Sequence, residues 1–314
     1  MPEVRVIGAL ARVRERQGTL PKPEDADPSA NALLMLHRSA VLKVGADGKI
    51  TLDDAWVRSW ARASRLGQGT PGAEQDGLAA RVAARRRAAL RSLCADGRTS
   101  VMTVIAKPMG AVVTGTGAGG IRDVGIELHG TYGWPVLPGS TLKGVAHSFA
   151  RDEAQTPRDV ADAVFGAPPG DDEPARAGAV AFLDALPGPG VTVAEHVLTP
   201  HTRGYRLDPD DPDNPGDPDS GSAPRPPAEY INPVPIPFLV LTGEVFHIHL
   251  AGPRPEVGQA ADLLAEALGE IGLGAKTTSG YGYFVIDEVV QGVAEPPASE
   301  AQRKTSASGT GRRR

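Results

Sequence analysis

Two glycine-punctuated turns carry the residue types best suited to chemistry in this sequence. The first is Pro138-Gly139-Ser140-Thr141-Leu142-Lys143-Gly144, and the second runs from Gly272 to Gly282 as Gly-Leu-Gly-Ala-Lys-Thr-Thr-Ser-Gly-Tyr-Gly. Each combines hydroxyl side chains and one lysine with glycines that leave backbone N–H groups open to a ligand. Such groups bind phosphate. Two of these turns in one chain predict a ligand with several phosphates, and RNA is the ligand that we infer.

The first turn opens a helix that the sequence predicts over residues 141–151. Apolar residues at i, i+3, i+4 and i+7 from Leu142 indicate a buried face, and Ser140 or Thr141 is a natural N-cap. A stripe of polar residues, Lys143, His147 and Arg151, lies beside this face, and Gly139 precedes the stripe. A phosphate at the helix start would meet free N–H groups, the positive end of the helix dipole and a lysine. The alternative is an ordinary capped helix in which these three polar side chains are solvated.

The second turn contains more glycine and more donors than a helix end requires. Gly272 and Gly274 alone would close the preceding helix in left-handed geometry. The residues that follow add hydroxyl groups and a lysine at positions where a ligand must come close to the backbone. Tyr281 and Tyr283, two residues apart at a predicted strand start, could stack on bases, although a core position is the default for Tyr283. The RNA-binding candidates of this turn are therefore Gly274, Lys276, Thr277, Thr278, Ser279 and Tyr281.

A third glycine-rich motif, residues 115–120, matches the dinucleotide fingerprint G-x-G-x-x-G. No helix pattern opens after it and no carboxylate follows at the expected distance, so no dinucleotide site is predicted. We interpret the span as a flexible loop from which Arg122 can lie along an RNA backbone. His201 and Arg203 are further candidate RNA contacts, and His201 is alternatively a turn-former.

The sequence predicts neither a metal nor a cofactor. Cys94 is the sole cysteine, and no histidine stands in a recognisable pattern with converging carboxylates. His147 or His129 is conceivable as a general base for RNA cleavage. Because no acid–base partner can be identified for either, no catalytic residue is assigned.

Composition favours a globular protein without a membrane segment. The chain has 314 residues, 40% of them hydrophobic, and a net charge of −5. No apolar run approaches the ~20 residues of a membrane span and no secretory segment opens the chain, so we expect a soluble, cytoplasmic protein. The negative charge argues only superficially against RNA, because six aspartates are concentrated between Asp208 and Asp219.

A predicted helix over residues 78–94 carries much of the positive charge. Arg86 falls within the apolar arc of this helix and needs a buried partner. The other arginines share the opposite side, which predicts an RNA-facing or subunit-facing surface, the alternative being a solvated outer face. These residues are Arg81, Arg85, Arg87 and Arg91.

The succession strand, helix, strands, helix, strand predicts an α+β fold with a ferredoxin-like (RRM-like) βαββαβ core. We expect an irregular segment over residues 1–30, then a single domain over 31–290. A basic-ended disordered tail follows over 291–314. The domain carries an insertion at 152–178 and a mobile Asp/Pro-rich loop at 208–227.

Several of these elements together resemble the RAMP superfamily of CRISPR RNA-binding proteins. The segment 136–144 is similar to the family's "hydrophobic-PGSSLKG" element, and the family carries a glycine-rich loop before its last strand. Within the superfamily the chain is similar to the sixth Cmr subunit of type III-B effector complexes. His147 departs from the pattern, since arginine is common there, and Thr202 stands where an aromatic is common. The elements that follow in the family order are Phe165-Gly166, Phe182-Leu183-Asp184-Ala185, Thr199-Pro200-His201 and Asn232-Pro233-Val234-Pro235-Ile236.

This resemblance implies a non-catalytic subunit that binds the 3′ part of the guide RNA and caps the filament of backbone subunits in antiviral defence. The implied partners are guide RNA, target RNA, a backbone RAMP subunit, a head RAMP subunit and the small helical subunits. Neither a membrane nor a small-molecule substrate is implied. Two alternatives stay open at this point: a metal-independent RAMP endoribonuclease that processes guide precursors, and a filament-terminating protein that touches RNA little.

Overall fold

A computed structural model describes residues 3–8, 33, 36, 39–44, 50–52, 78–117, 126–170, 174–188, 191–199, 235–243 and 245–293. We number the elements of this part of the chain in order. The helices are α1 (Leu78–Leu93), α2 (Gly139–Asp152), α3 (Arg158–Phe165) and α4 (Arg254–Glu270). The strands are β1 (Glu3–Gly8), β2 (Ser39–Val44), β3 (Ile50–Leu52), β4 (Ser100–Pro108), β5 (Gly166–Ala167), β6 (Arg176–Ala177), β7 (Ala181–Phe182), β8 (Thr192–Leu198), β9 (Ile236–Thr242), β10 (Phe246–Gly252) and β11 (Phe284–Gln291).

The central element is a four-stranded antiparallel sheet with the order β11-β4-β10-β7. Helix α2 lies between β4 and β7 in the chain, and α4 lies between β10 and β11. Mixed helices and antiparallel strands confirm the α+β class. We interpret this order of elements as ferredoxin-like.

One face of this sheet and the two helices α2 and α4 form the main core. In β10 the alternate residues Phe246, Ile248 and Leu250 are fully buried in it, as expected of a strand whose side chains point to opposite faces in turn. Helix α2 contributes Leu142 and Ala146, one helical turn apart. Helix α4 contributes a complete apolar stripe, which comprises Val257, Ala260, Ala261, Leu264 and Leu268.

Helix α1 packs on the opposite face of the same sheet. Leu90 of this helix forms a small cluster with Val101 of β4 and Ala251 of β10. Arg86, one turn earlier, is partly buried and interacts electrostatically with Asp184. The apolar face predicted for this helix therefore does include Arg86, and the Asp184 carboxylate lies close enough to interact with Arg86.

Beyond the end of β4 a second layer of backbone pairing continues the fold. Strands β8 and β9 form an antiparallel ribbon, and Val112 exchanges two hydrogen bonds of 2.8 and 2.9 Å with Leu241 of β9. On its other side the segment 111–113 bonds to the loop over residues 272–282. This segment thus joins the last loop of the domain to the ribbon.

Most predicted elements of the described residues are confirmed, with three corrections. The N-terminal segment is not wholly irregular, because β1 pairs with β2 over residues 3–8; alternating β-branched residues favour a strand there despite the charges. Helix α2 begins at Gly139, so neither Ser140 nor Thr141 caps it. The last strand begins at Phe284 and not at Tyr281, because Gly280 and Gly282 have positive φ values of 84° and 80°.

The Asp/Pro-rich loop and the basic tail from residue 294 onward lie outside the described residues. The partition of the chain into one domain with these flanks stays a prediction. Within the part of the chain that the structure describes, no helix is long and apolar enough to cross a membrane.

We predict that the loop 272–282 depends on two glycines for its packing. A Cβ at Gly274 would lie 2.2 Å from the Val113 carbonyl oxygen, and one at Gly282 would lie 2.1 Å from the Leu273 carbonyl oxygen; both residues have positive φ. Gly274→Ala and Gly282→Ala should each lower the free energy of unfolding by about 2–4 kcal/mol in urea denaturation. Gly258→Ala in helix α4, where a Cβ meets open space, is the matched control and should raise stability by up to ~1 kcal/mol. Equal urea midpoints for Gly274→Ala and wild type would contradict this account.

Candidate nucleic-acid interface

The loop over residues 272–282 is fixed at its two ends by backbone hydrogen bonds. Leu273 N–H donates to the Gly282 carbonyl at 2.8 Å, Ala275 N–H to the Val113 carbonyl at 2.8 Å, and Gly282 N–H to the Ala111 carbonyl at 2.9 Å. The tip, residues 278–280, is exposed. A rigid base with an exposed tip of hydroxyls and glycine is the arrangement that a backbone-recognising phosphate site requires.

Lys276 stands at the base of this tip in an unusual backbone conformation. Its φ of 63° is left-handed, which is uncommon for a residue other than glycine and costs on the order of 1 kcal/mol. Its carbonyl accepts hydrogen bonds from the Ser279 and Tyr281 N–H groups at 2.9 and 3.3 Å. Its Nζ lies 5.5 Å from the centre of the Phe238 ring, a cation–π distance. The lysine charge is therefore held beside the tip.

Tyr281 belongs to an aromatic cluster that sequence patterns did not reveal. Its hydroxyl lies 2.9 Å from His196 Nδ1, and its ring meets the Phe238 and His196 rings edge-on at centroid distances of 5.9 and 5.6 Å. Because His196 and Phe238 lie on β8 and β9, no local spacing in the sequence connects them with the loop. Tyr281 is half-buried, so only part of its ring is open to a base.

At the first turn a carboxylate of the chain itself already meets the helix. Gly139 N–H donates to Asp184 Oδ1 at 2.7 Å, and the cap residue is Pro138, with no side-chain cap bond. Gly139 is buried, and a Cβ there would lie 2.1 Å from the Phe182 carbonyl oxygen. The sequence-based N-cap prediction is wrong because Asp184, distant in the chain, supplies the acceptor. The N–H groups of Ser140 and Thr141 follow in the first turn, where a helix offers no backbone partner.

The predicted polar stripe on α2 is divided among different contacts. Arg151 forms a 2.7 Å ion pair with its neighbour Asp152, which raises the pKa of Arg151 and lowers that of Asp152. The His147 ring stacks on Phe165 with centroids 5.0 Å apart. Lys143, one turn into the helix, is half-buried. Lys143 is thus the stripe residue that the structure leaves best placed for an anion at the helix start.

The described contacts do not bring the remaining candidate RNA-binding residues together into one site. Arg122, His201 and Arg203 lie outside the described residues. No hydrogen bond or ion pair of the described residues joins the first turn to the second. Arg81, Arg85 and Arg91 are exposed on α1, and Arg87 is half-buried.

A histidine pair on β10 lies beneath α1. His247 and His249 share the face of the sheet that carries Ala251, and His249 is 6% exposed. Burial, then the charges of Arg86, His247 and Arg87, lower the pKa of His249 from 6.5 to about 4. Burial and the Arg87 charge also lower the pKa of His247. Both imidazoles are therefore neutral at physiological pH.

The other histidine considered from the sequence, His129, has a local structural role. Its Nδ1 accepts from the Thr131 N–H at 3.2 Å, and its ring stacks on Tyr132 at 4.8 Å. Among the described residues, no group of three or more His, Cys, Asp or Glu side chains could hold a metal ion.

The fold and the two donor-rich turns define an α+β protein of a recognisable class. The family model of the RAMP superfamily matches residues 106–285, which is more than half of the chain and includes both turns. The chain belongs to the RAMP superfamily.

Comparison with solved structures is consistent with this membership. A chain of the type III-B Cmr-beta complex bound to cognate target RNA aligns with a TM-score of 0.52 and 20% identity over 76% of this chain and 72% of that chain. Cmr6 from Pyrococcus furiosus aligns at 22% identity over 60% of this chain and 98% of that chain, with a TM-score of 0.33. The first alignment shows a shared fold, whereas the second TM-score is too low to do so. No curated protein matches the sequence.

We predict that buried His249 makes the free energy of unfolding decrease as the pH is lowered. The unfolded chain takes up a proton at His249 near pH 6.5, which the folded chain takes up only near pH 4. The contribution of neutral His249 to the free energy of unfolding is therefore complete above pH 6.5. It decreases as the pH falls and is lost by about pH 4, a change on the order of 3 kcal/mol. Urea denaturation at several pH values measures it, and His249→Phe should flatten the curve between pH 6.5 and 4. An unchanged curve for His249→Phe would show that other groups cause the loss.

Proposed function

We propose that this protein is a non-catalytic RNA-binding subunit of a type III-B CRISPR effector complex. It binds the 3′ part of the guide RNA and caps the filament of backbone RAMP subunits. The observation that carries the proposal is the RAMP family match, which spans both donor-rich turns. The fold shared with a chain of a Cmr-beta complex supports the choice of complex, since that complex is bound to target RNA.

The mechanism proposed for guide binding is recognition of phosphates whatever the base sequence. The hydroxyls of Thr278 and Ser279 at the exposed tip contact one phosphate, and Lys276 neutralises it. The first turn of α2 contacts another through Ser140, Thr141 and Lys143. Phosphate contacts of this kind fix register on the strand without reading bases. The role of Tyr281 is to contact a neighbouring base with the accessible part of its ring while its hydroxyl stays bonded to His196.

The first experiment isolates the protein from its host, with sequencing of bound RNA and mass spectrometry of bound proteins. Guide RNAs with uniform 5′ ends, together with other RAMP subunits, are expected. Recovery of the partner subunits without RNA would favour a filament-terminating protein, and recovery of neither would contradict the proposal. Unprocessed repeat RNA without partners would favour a processing nuclease. That alternative also predicts a discrete product when the purified protein meets a repeat hairpin in the absence of metal.

We predict that charge reversal at either lysine weakens RNA binding uniformly. Lys143→Glu and Lys276→Glu should each raise the Kd for single-stranded RNA roughly 10-fold and reduce the slope of log K against log salt by about one, on every sequence tested. Fluorescence anisotropy over a salt titration measures both quantities. Arg158→Glu is the matched control, because Arg158 lies on α3, outside both turns, with its side chain 89% exposed. It should change the Kd less than twofold, and equal Kd values for wild type and both lysine variants would overturn the site assignment.

A further inference from the structure

Three aromatic rings form a stack in the tight turn that precedes helix α2. The His129 and Tyr132 rings lie 4.8 Å apart between centroids at an angle of 28°, and the Tyr132 and Trp134 rings lie 4.4 Å apart at 16°. Tyr132 is therefore the middle ring. Trp134 is 6% exposed and closes the inner end, whereas His129 at the outer end is half-buried. We call these three residues the ring stack.

The backbone that carries the ring stack is fixed by hydrogen bonds across the turn. Leu128 pairs with Pro135 in an antiparallel bridge. The His129 N–H donates to the Trp134 carbonyl at 2.7 Å, and its carbonyl accepts the Gly133 N–H at 2.7 Å. Rings held on a bonded backbone lose little conformational entropy when a ligand binds to them. The ring stack is thus preorganised.

The orientation and the tautomer of the outer ring are fixed as well. His129 Nδ1 accepts hydrogen bonds from the Thr131 and Tyr132 N–H groups at 3.2 and 3.4 Å. A ring nitrogen that accepts N–H groups carries no proton, so the imidazole is the neutral tautomer with its proton on Nε2. Because Tyr132 covers one face of this ring, its accessible part comprises the other face and the edge. Among the rings of the described residues, none stacks on that outer face.

The position of the ring stack beside the first donor-rich turn points to RNA as its ligand. The chain continues from the stack through Leu137, which exchanges hydrogen bonds of 3.1 and 2.8 Å with Ala185, and reaches the start of α2 at Gly139. Trp134 and Gly139 are five residues apart, at most about 17 Å of extended chain. A strand with a phosphate at the first turn therefore has a base within reach of the stack. Bases of single-stranded RNA stack on histidine and other aromatic rings.

Backbone contacts also connect the ring stack with the second donor-rich turn. Gly115 packs against Glu127, two residues before His129, so closely that a Cβ at Gly115 would lie 2.5 Å from the Glu127 nitrogen. Two residues before Gly115, the Val113 carbonyl accepts the Ala275 N–H of the second turn. The ring stack therefore lies on a backbone path that joins the two turns. A stacking surface on this path suits a single strand that contacts both.

We propose that the ring stack is a platform for an RNA base, which adds to the stack on the outer face of His129. Tyr132 and Trp134 support the imidazole from the inner side. The proposal rests on the proposed function and deepens it, because it adds a base contact to the phosphate contacts of the two turns. Such stacking accepts any base, since every base has an aromatic face.

The test compares two variants that lose the same hydrogen bonds. His129→Ala and His129→Phe both remove the Nδ1 acceptor, but only His129→Phe keeps an aromatic ring. Fluorescence anisotropy of the full chain with labelled oligo(A) RNA should give a Kd raised about 5- to 10-fold for His129→Ala and within about twofold of wild type for His129→Phe. The slope of log K against log salt should be the same for His129→Ala and wild type, because no phosphate contact is lost.

A probe without bases isolates the stacking contact. On an abasic ribose-phosphate oligomer of the same length, wild type and His129→Ala should bind with equal Kd, because neither has a base to stack. The same loss of affinity with and without bases would show that His129 acts on the backbone or on the fold. In wild type, the NMR signals of the His129 ring protons should move upfield on addition of oligo(A) and not on addition of the abasic oligomer. Unmoved signals with bound oligo(A) would contradict the platform without any variant.

The outcomes separate this proposal from the proposed function. If wild type binds neither probe, both proposals fail. If Lys143→Glu weakens binding of oligo(A) while His129→Ala binds as wild type does, the platform alone is wrong. Equal losses for His129→Ala and His129→Phe, with the fold retained by circular dichroism, would assign His129 to support of the turn and overturn the platform. Normal RNA affinity of His129→Ala combined with loss of a partner subunit from the purified complex would assign the ring stack to a protein contact and equally overturn it.

Discussion

The structure depends on burying the β4–β10 pair of strands on both faces. Each strand must therefore carry two kinds of side chain in alternation, and β10 shows the consequence. Phe246, Ile248 and Leu250 enter the large core under α2 and α4, whereas Ala251 meets α1. Helix α1 meets this second face through Leu90, which packs with Val101 and Ala251. His249 lies on this same face, where burial and then the charge of Arg86 lower its pKa to about 4.

Rigid backbone contacts explain how flexible-looking sequences become defined sites. A sequence such as residues 272–282, rich in glycine and hydroxyls, would cost much conformational entropy to order around a ligand. Here the Leu273 N–H donates to the Gly282 carbonyl and the Ala275 N–H donates to the Val113 carbonyl, so that cost is met during folding. The glycines of this loop are needed for the close packing of its backbone as much as for contact with any ligand. Structural and binding roles therefore coincide at the same positions.

Patterns within one segment predicted the elements well, and contacts between distant segments escaped them. The apolar periodicity of α2 and the succession of strands and helices give the main elements correctly, because burial on one face leaves a local trace in the sequence. Asp184 reaches Gly139 across 45 positions, and His196 reaches Tyr281 across 85. No spacing rule connects such pairs. The two turns were therefore found from the sequence, while the groups that cap and support them were not.

Asp184 connects the start of helix α2 with helix α1. Its carboxylate accepts the Gly139 N–H at the start of α2 and also interacts electrostatically with Arg86 of α1. A carboxylate that serves a helix N-terminus and a buried guanidinium offsets charge that would otherwise be uncompensated when no ligand is present. It also reduces the attraction of the helix start for a phosphate. The net charge of −5 is thus compatible with the proposed RNA binding, because counter-charges of this kind lie close to the proposed binding groups.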